Sequence, residues 1–327
     1  MTGRFVRTSN AFSAGFSYFR SIATGNAFIS RMPPAISAEL TNNCNLNCPE
    51  CFSGTSQGLM KRCRGYMDTE LFGRIITELR PFLYNINLYF QGEPMLHPKL
   101  FVFIQKSRGI RSVVSTNGHF LSPENAERLV KSGLWTLIVS LDGMDQTTYS
   151  SYRVNGDLQK VTEGIRNIAE ARERFSSKMN LQIQFPVNRL NEHQIPLAKA
   201  FAHKMKASLR LKSMQIITKE AAGYWMPSKP EFCRYEKKNG EYVLKNSFPN
   251  RCPRLWFNPV ITWDGKVLPC CFDKDAEHVM GDLNEESFYD IWEGPKYKIF
   301  RKNLLSGRDM TEICRNCTSG ISLRVKR

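Results

Sequence analysis

Between residues 34 and 220 six short β-rich apolar runs alternate with five stretches of helical periodicity. The runs cover residues 35–40, 86–90, 112–115, 136–141, 181–185 and 209–217. The stretches between them cover residues 69–83, 98–108, 122–132, 158–175 and 192–206. Alternation of this kind requires parallel strands joined by right-handed crossovers. Six units are too few for a closed eight-stranded barrel and enough for a partial one. The expected class is therefore α/β. Asp68 and Ser122 stand where N-caps belong, each with a side-chain oxygen ahead of a periodic run.

Residues 41–52, TNNCNLNCPECF, follow the first run directly. They place Cys44, Cys48 and Cys51 in a C-x3-C-x2-C pattern. A structural zinc site takes four protein ligands, and this loop has three. A disulfide would strand one thiol. A cubic iron–sulfur cluster with three protein thiolates keeps one iron open for a small chelating ligand. Ligands of parallel α/β folds gather at the carboxyl ends of strands, where this loop sits.

The pattern resembles the radical S-adenosylmethionine (SAM) enzymes. Gln91-Gly92-Glu93-Pro94 closes the second run and is similar to that family's Gly-Gly-Glu-Pro loop, whose backbone meets the SAM amino group. Ser115-Thr116-Asn117-Gly118 and Ser140-Leu141-Asp142-Gly143 close the third and fourth runs and resemble the family's SAM-contacting segments. Arg153, after Tyr152, resembles the arginine that pairs with the methionyl carboxylate, a role the guanidinium fork suits. The resemblance thus implies cofactor contacts at Gly92, Glu93, Pro94, Ser115, Asn117, Ser140, Asp142 and Arg153. It departs from the family at Gln91, where a glycine is usual, and at Glu50, where an aromatic is common; Phe52 is the nearest aromatic.

Cys252, Cys270, Cys314 and Cys317 form a second set. Four thiolates close a tetrahedral zinc site or fill every protein position of a 4Fe–4S cluster, and spacing does not separate the two. Cys252-Pro-Arg, Asp264-Gly-Lys-Val-Leu-Pro-Cys270, Gly281-Asp-Leu, Ile291-Trp292 and Cys314-x2-Cys317 resemble a SPASM or shorter twitch extension, which implies one auxiliary 4Fe–4S cluster. Cys270 is preferred to Cys271 because it fits the Gly-x4-Cys spacing. Cys63 and Cys233 read as small buried residues, with a place facing the active site as the alternative for Cys233, near the linker.

The domain order implied is a basic amphipathic arm (1–33), a partial (β/α)6 barrel of the radical SAM type (34–220), a linker (221–250), a small α+β cluster-binding domain (251–320) and a basic tail (321–327). A hairpin is expected across Asp264-Gly265, with a short helix over 285–293. The arm has no Asp or Glu through residue 38, and Phe12, Phe16, Phe19 and Ile22 share a helix face. It reads as a helix packed on the main domain or a partner, with a transit peptide as the alternative.

The family resemblance implies that Cys44, Cys48 and Cys51 bind three irons and that SAM chelates the fourth. An external donor such as flavodoxin or ferredoxin reduces the cluster, and cleavage of SAM gives a 5′-deoxyadenosyl radical that takes hydrogen from the substrate. An auxiliary cluster would accept an electron, pointing to net oxidation or crosslinking of a small molecule, a sugar derivative or a peptide. The net charge of +16, with Lys199, Lys204, Lys206, Arg210 and Lys212 in one segment, keeps a nucleic-acid-modifying enzyme as an alternative. A non-catalytic zinc- or cluster-stabilised binding protein is the other. Ten cysteines without a legible secretory signal or membrane span suit a reducing compartment, so the expected location is cytoplasmic.

Overall fold

A computed structural model of the chain describes residues 2–54, 58–217, 219–245 and 249–317. The expected basic tail lies outside them. The chain opens with α1 (Thr2–Thr24) and then alternates: β1 (Ala35–Ala38), α2 (Thr69–Leu79), β2 (Asn85–Asn87), α3 (Leu100–Lys106), β3 (Arg111–Thr116), α4 (Pro123–Lys131) and β4 (Thr136–Ser140). Two helices follow, α5 (Gln146–Tyr152) and α6 (Leu158–Arg174), then β5 (Asn180–Val187), α7 (Ile195–Lys204) and β6 (Ser208–Ser213). After these come α8 (Lys219–Trp225), β7 (Tyr235–Lys238), β8 (Glu241–Leu244), α9 (Arg254–Phe257), β9 (Val260–Ile261), β10 (Lys266–Leu268) and β11 (Gly281–Asp282). The described chain closes with α10 (Phe288–Glu293), α11 (Pro295–Ser306) and α12 (Glu312–Arg315).

Both expected caps are present. Asp68 accepts from the Glu70 and Leu71 amides, and Ser122 from the Asn125 amide. Each satisfies helix donors that have no intrahelical partner.

The residues divide into two compact units. The first comprises Met1–Asn43, Met60–Val113 and Phe248–Ser319. In it β1, β2 and the start of β3 run parallel, with Ile36 opposite Ile86 and Ile86 opposite Ser112. β9 joins the free side of β1 in parallel, and β10 and β11 extend it antiparallel. The hairpin is therefore present across Asp264-Gly265; Gly265 takes φ +90 in its turn, a conformation that favours glycine. Phe72 of α2 and Phe103 of α3 meet edge to face at 4.7 Å beneath the strands.

The second unit is built mainly from Cys44–Leu59 and Val114–Ser247. β4, β5 and β6 run parallel in it, with Ile138 opposite Gln182 and Ile183 opposite Leu209. Phe185, Val187, Ile195, Ala198 and Phe232 form one of its cores.

The described residues of the expected linker, 221–245, contain local structure. β7 and β8 pair around Asn239-Gly240, both at positive φ, and Trp225 and Tyr235 bury against Met214 and Ile216. Asn-Gly is a strong hairpin signal, but the flanking Glu-Lys-Lys and Glu-Tyr-Val-Leu lack the clean alternation that marks strands.

α1 forms as expected, but with its faces reversed. Asn10, Ala14, Ser17 and Ser21 are buried, while Phe12, Phe16 and Phe19 are exposed. Hydrogen bonds explain the choice: Arg7 donates to the carbonyls of Arg80 and Gly109, Asn10 to that of Met32 at 2.9 Å, and Ser21 Oγ accepts from the Phe28 amide at 2.9 Å.

Candidate active site

The second unit holds the three-thiol loop. Cys48 is buried, and Cys44 and Cys51 are half-buried, so one side of the loop stays open. Gly54 closes it: a Cβ there would stand 2.4 Å from the Cys48 carbonyl, too close for any side chain. Burial pushes the Cys48 thiol up to about 12, opposed by the Arg153 guanidinium and reinforced by the nearby Cys51 and Cys44 thiols. The three sulfurs therefore share one electrostatic neighbourhood.

Several strand-end residues hold this loop. Asn117, after β3, donates from Nδ2 to Asn45 Oδ1 at 2.8 Å. The Asn47 amide donates to the Val154 carbonyl at 3.1 Å. Arg153 Nη1 stands 3.8 Å from Cys48 Sγ, and its Nε donates to Asp142 Oδ2. Asp142 is fully buried; burial pushes its carboxyl up, and Arg153 pulls it back. Its backbone carbonyl accepts from Asn191 Nδ2 at 2.9 Å. Asp142 Oδ1 and the Tyr149 hydroxyl are buried without a hydrogen-bond partner among the described residues. Ser140 is buried at the end of β4, and Ser115 is half-buried in β3. Glu50, the departure from the family's aromatic, is buried and accepts from the Ile217 amide at 2.6 Å.

The Gln91–Pro94 loop lies in the first unit. Gly92 takes φ +74, and a Cβ on it would stand 2.5 Å from the Thr41 carbonyl and 2.6 Å from that of Asn43. The Glu93 amide donates to the Asn43 carbonyl at 2.8 Å, and its carboxylate caps the short turn at Pro94–Leu96 by accepting from Met95. This loop therefore grips the three residues that lead into Cys44. Sequence reasoning passed over Glu39, which is buried here and receives both terminal nitrogens of Arg62, as well as Asn45 and Asn191. Isolated polar residues at strand ends carry no periodicity, so nothing marked them.

The four-thiol set is also in the first unit. Cys252, Cys270, Cys314 and Cys317 are all buried. Burial raises the Cys270 thiol, with Cys271, Cys252 and Cys317 adding to the effect. Burial likewise takes Cys314 up to about 12, with Cys317 reinforcing it. The nearby Cys271 thiol holds the Arg254 guanidinium more firmly charged, against its own burial, and Cys270, Cys252 and Cys317 contribute in the same direction. Cys271 and Arg254 thus lie in the electrostatic neighbourhood of the set. Among the described residues no group of three or more His, Cys, Asp or Glu side chains converges on a single ion.

Cys63 is exposed, not buried as its sequence suggested: the turn needs its backbone, whose carbonyl accepts from Asn42 at 2.8 Å. Cys233 is buried, and its thiol donates to the Pro227 carbonyl at 3.0 Å. Lys199, Lys204, Lys206, Arg210 and Lys212 are exposed on α7, β6 and the turn between them.

Neither His97 nor His119 is open for proton transfer. His97 Nδ1 accepts from the Lys99 amide at 3.0 Å, so Nε2 carries the proton and faces the Met67 carbonyl at 3.0 Å. His119 Nε2 accepts from the Asp157 amide at 2.8 Å, leaving Nδ1 to donate to Asn117 Oδ1 at 3.0 Å. Burial lowers both from the ordinary 6.5. A base held neutral by the fold stabilises it above its unfolded pKa, and that stability is lost as pH falls from 6.5 toward the lower folded pKa. The melting temperature is expected to fall across that acid limb, and the paired His97→Gln, His119→Gln variant to show a flatter profile.

Thiol sets of three and four, each partly or wholly shielded within its unit, are of the kind that iron–sulfur proteins use, and a set of four also suits zinc. Comparison with known proteins narrows the class. A Radical SAM superfamily profile matches residues 38–182, and a SPASM iron–sulfur cluster-binding domain profile matches residues 252–318. The chain belongs to the radical SAM superfamily and carries a C-terminal SPASM domain. Its core is the α/β partial barrel of that superfamily. The protein is an enzyme whose cofactors are SAM, a SAM-binding 4Fe–4S cluster and auxiliary iron–sulfur.

Among the relatives, the tungsten-containing aldehyde ferredoxin oxidoreductase cofactor-modifying protein of Pyrococcus furiosus is 26% identical over 296 residues, 80% of this chain and 82% of that protein. The S-adenosyl-L-methionine-dependent 2-deoxy-scyllo-inosamine dehydrogenase of Niallia circulans is 23% identical over 291 residues, 87% of this chain and 92% of that enzyme. The crystal structure of BtrN with AdoMet and 2-DOIA shares the fold, with a TM-score of 0.54 and 22% identity across 89% of this chain and 94% of that one.

Proposed function

We propose that this enzyme dehydrogenates an alcohol-bearing small molecule of the sugar or cyclitol class. The observation that carries the reading is the buried four-thiol set, Cys252, Cys270, Cys314 and Cys317, separate from the three-thiol loop. A set with no vacant protein position is suited to passing electrons rather than to binding substrate. Support also comes from the dehydrogenase of Niallia circulans, which the chain matches along nearly its whole length.

When bound, SAM and its cluster supply hydrogen-atom abstraction from an unactivated carbon, and the auxiliary cluster supplies an electron acceptor. The remaining work belongs to the chain. Cys44, Cys48 and Cys51 hold three irons of the first cluster. Arg153 takes the methionyl carboxylate with the nitrogen that Asp142 leaves free, and Asp142 fixes its plane. Asn117 steadies the loop through Asn45, and Ser115 and Ser140 offer hydroxyls at strand ends. Gly92, Glu93 and Pro94 keep the SAM role their motif implies. Cys252, Cys270, Cys314 and Cys317 hold the second cluster, and the Arg254 charge beside them favours acceptance of an electron.

The test is anaerobic incubation with SAM, a reductant and a panel of polyols and aminocyclitols deuterated at the alcohol carbon. Deuterium is expected in 5′-deoxyadenosine, together with an equal amount of carbonyl product. Cys314→Ala is expected to keep deuterium transfer and lose the carbonyl product. Turnover confined to a peptide panel would refute the small-molecule reading.

A further inference from the structure

The first helix wears its apolar face outward. Phe5, Phe12, Phe16 and Phe19 are 67–76% exposed, and on a helical wheel they fall within about 60° of one another. The opposite face, with Asn10, Ala14, Ser17 and Ser21, is buried against its own unit. A helix that stabilises a domain ordinarily does the reverse. The inward side is also firmly fixed: Thr8 bonds the Tyr84 hydroxyl at 2.6 Å, and Tyr18 meets Trp256 and Phe257 edge-on at 5.4 and 5.5 Å. The phenylalanine stripe is therefore presented by a docked helix and not by a fraying end.

Charge decides what such a stripe meets. The segment through residue 38 has no Asp or Glu. At one end of the stripe, Arg7 holds the carbonyls of Arg80 and Gly109, beside exposed Arg108 and Arg111. Toward the other end, Arg20 is exposed over the Phe28 ring, and Lys302 reaches Asn26 at 2.6 Å. Apolar rings bordered by cations suit an anionic lipid surface: the rings enter the acyl boundary while guanidiniums meet headgroups. A second copy of the chain, itself at +16, would bring like charge to the same border. No helix among the described residues is long and apolar enough to cross a membrane, so the contact is peripheral.

We propose that α1 seats this enzyme on anionic membrane surfaces through Phe5, Phe12, Phe16 and Phe19. The test is co-sedimentation of the full chain with vesicles of phosphatidylglycerol and phosphatidylcholine in equal parts, against vesicles of phosphatidylcholine alone. Wild type is expected to partition to the anionic vesicles and to be released by salt. The Phe12→Ser, Phe16→Ser, Phe19→Ser variant is expected to bind at least about tenfold more weakly with an unchanged melting temperature. Phe16→Glu, which puts a carboxylate in the stripe, is expected to lower binding in the same direction. Absence of vesicle binding, or equal binding to both vesicle types, would overturn the proposal. So would a wild-type dimer that the triple variant converts to monomer in sedimentation velocity, because a second copy would then cover the stripe.

Discussion

Arg153→Ala is expected to destabilise the protein by about 3 kcal/mol, read as a lower urea midpoint with an unchanged slope. Asp142 has no exposure at all, and among the described residues it is Arg153 that pairs with it. Removing the guanidinium leaves a buried carboxylate uncompensated, which is far worse than never having had the pair. Burial already raises this carboxyl, and without Arg153 it rises further, so the variant should recover part of its stability as pH falls and the group protonates. Asp142→Asn combined with Arg153→Met should recover most of the loss, because no charge remains buried. Arg153→Lys should be intermediate in stability, since an ammonium restores charge without the fork that reaches Asp142 and Cys48 together. A double variant as unstable as Arg153→Ala would contradict the ion-pair account.

Gly92→Ala is expected to lose at least about tenfold in SAM affinity and about 2 kcal/mol of stability. Two effects add. The φ of +74 disfavours any L side chain, and the new Cβ would press on the carbonyls of Thr41 and Asn43, which are backbone and cannot swing aside. Thr41–Asn43 is anchored in turn: Asn42 is buried, donates to the Cys63 carbonyl and accepts from the Gly65 amide at 2.9 Å. Displacing it disturbs the residue before Cys44. Gly25→Ala is the control, since Gly25 also has positive φ, at +67, but has open space around it. Equilibrium dialysis with labelled SAM checks the affinity, and urea unfolding checks the stability. Equal losses in both variants would mean that φ alone matters and that the close backbone approach does not.

Much of the core was legible because its signals are periodic. Parallel strands buried on both faces read as short apolar runs, and amphipathic helices repeat at 3.6 residues, so the six strands and the helices between them lie close to their expected places. The thiol sets were legible because cysteine spacing survives in one dimension. The hairpin β7–β8 was hidden by its charged flanks, although Asn239-Gly240 marked its turn. α5 was hidden because Gln146–Tyr152 has no apolar stripe; what holds it is the Asp145 cap and Gln194, which bonds Thr148 at 3.1 Å. The orientation of α1 could not be read at all. Its phenylalanines announced an amphipathic helix, but which face is buried was decided by hydrogen bonds to Arg80, Gly109 and Met32, residues distant in sequence. Asn45, Asn191 and Glu39 matter through single contacts of the same kind.

The central claim is that the two cysteine sets hold two separate clusters. Iron and sulfide are measured after anaerobic reconstitution of wild type and of the Cys44→Ala, Cys48→Ala, Cys51→Ala variant. The account predicts about eight irons per chain, falling to about four in the variant, as two 4Fe–4S clusters require. About four irons in wild type, all lost in the variant, would leave the four-thiol set without a cluster and remove the electron acceptor on which the dehydrogenase reading rests.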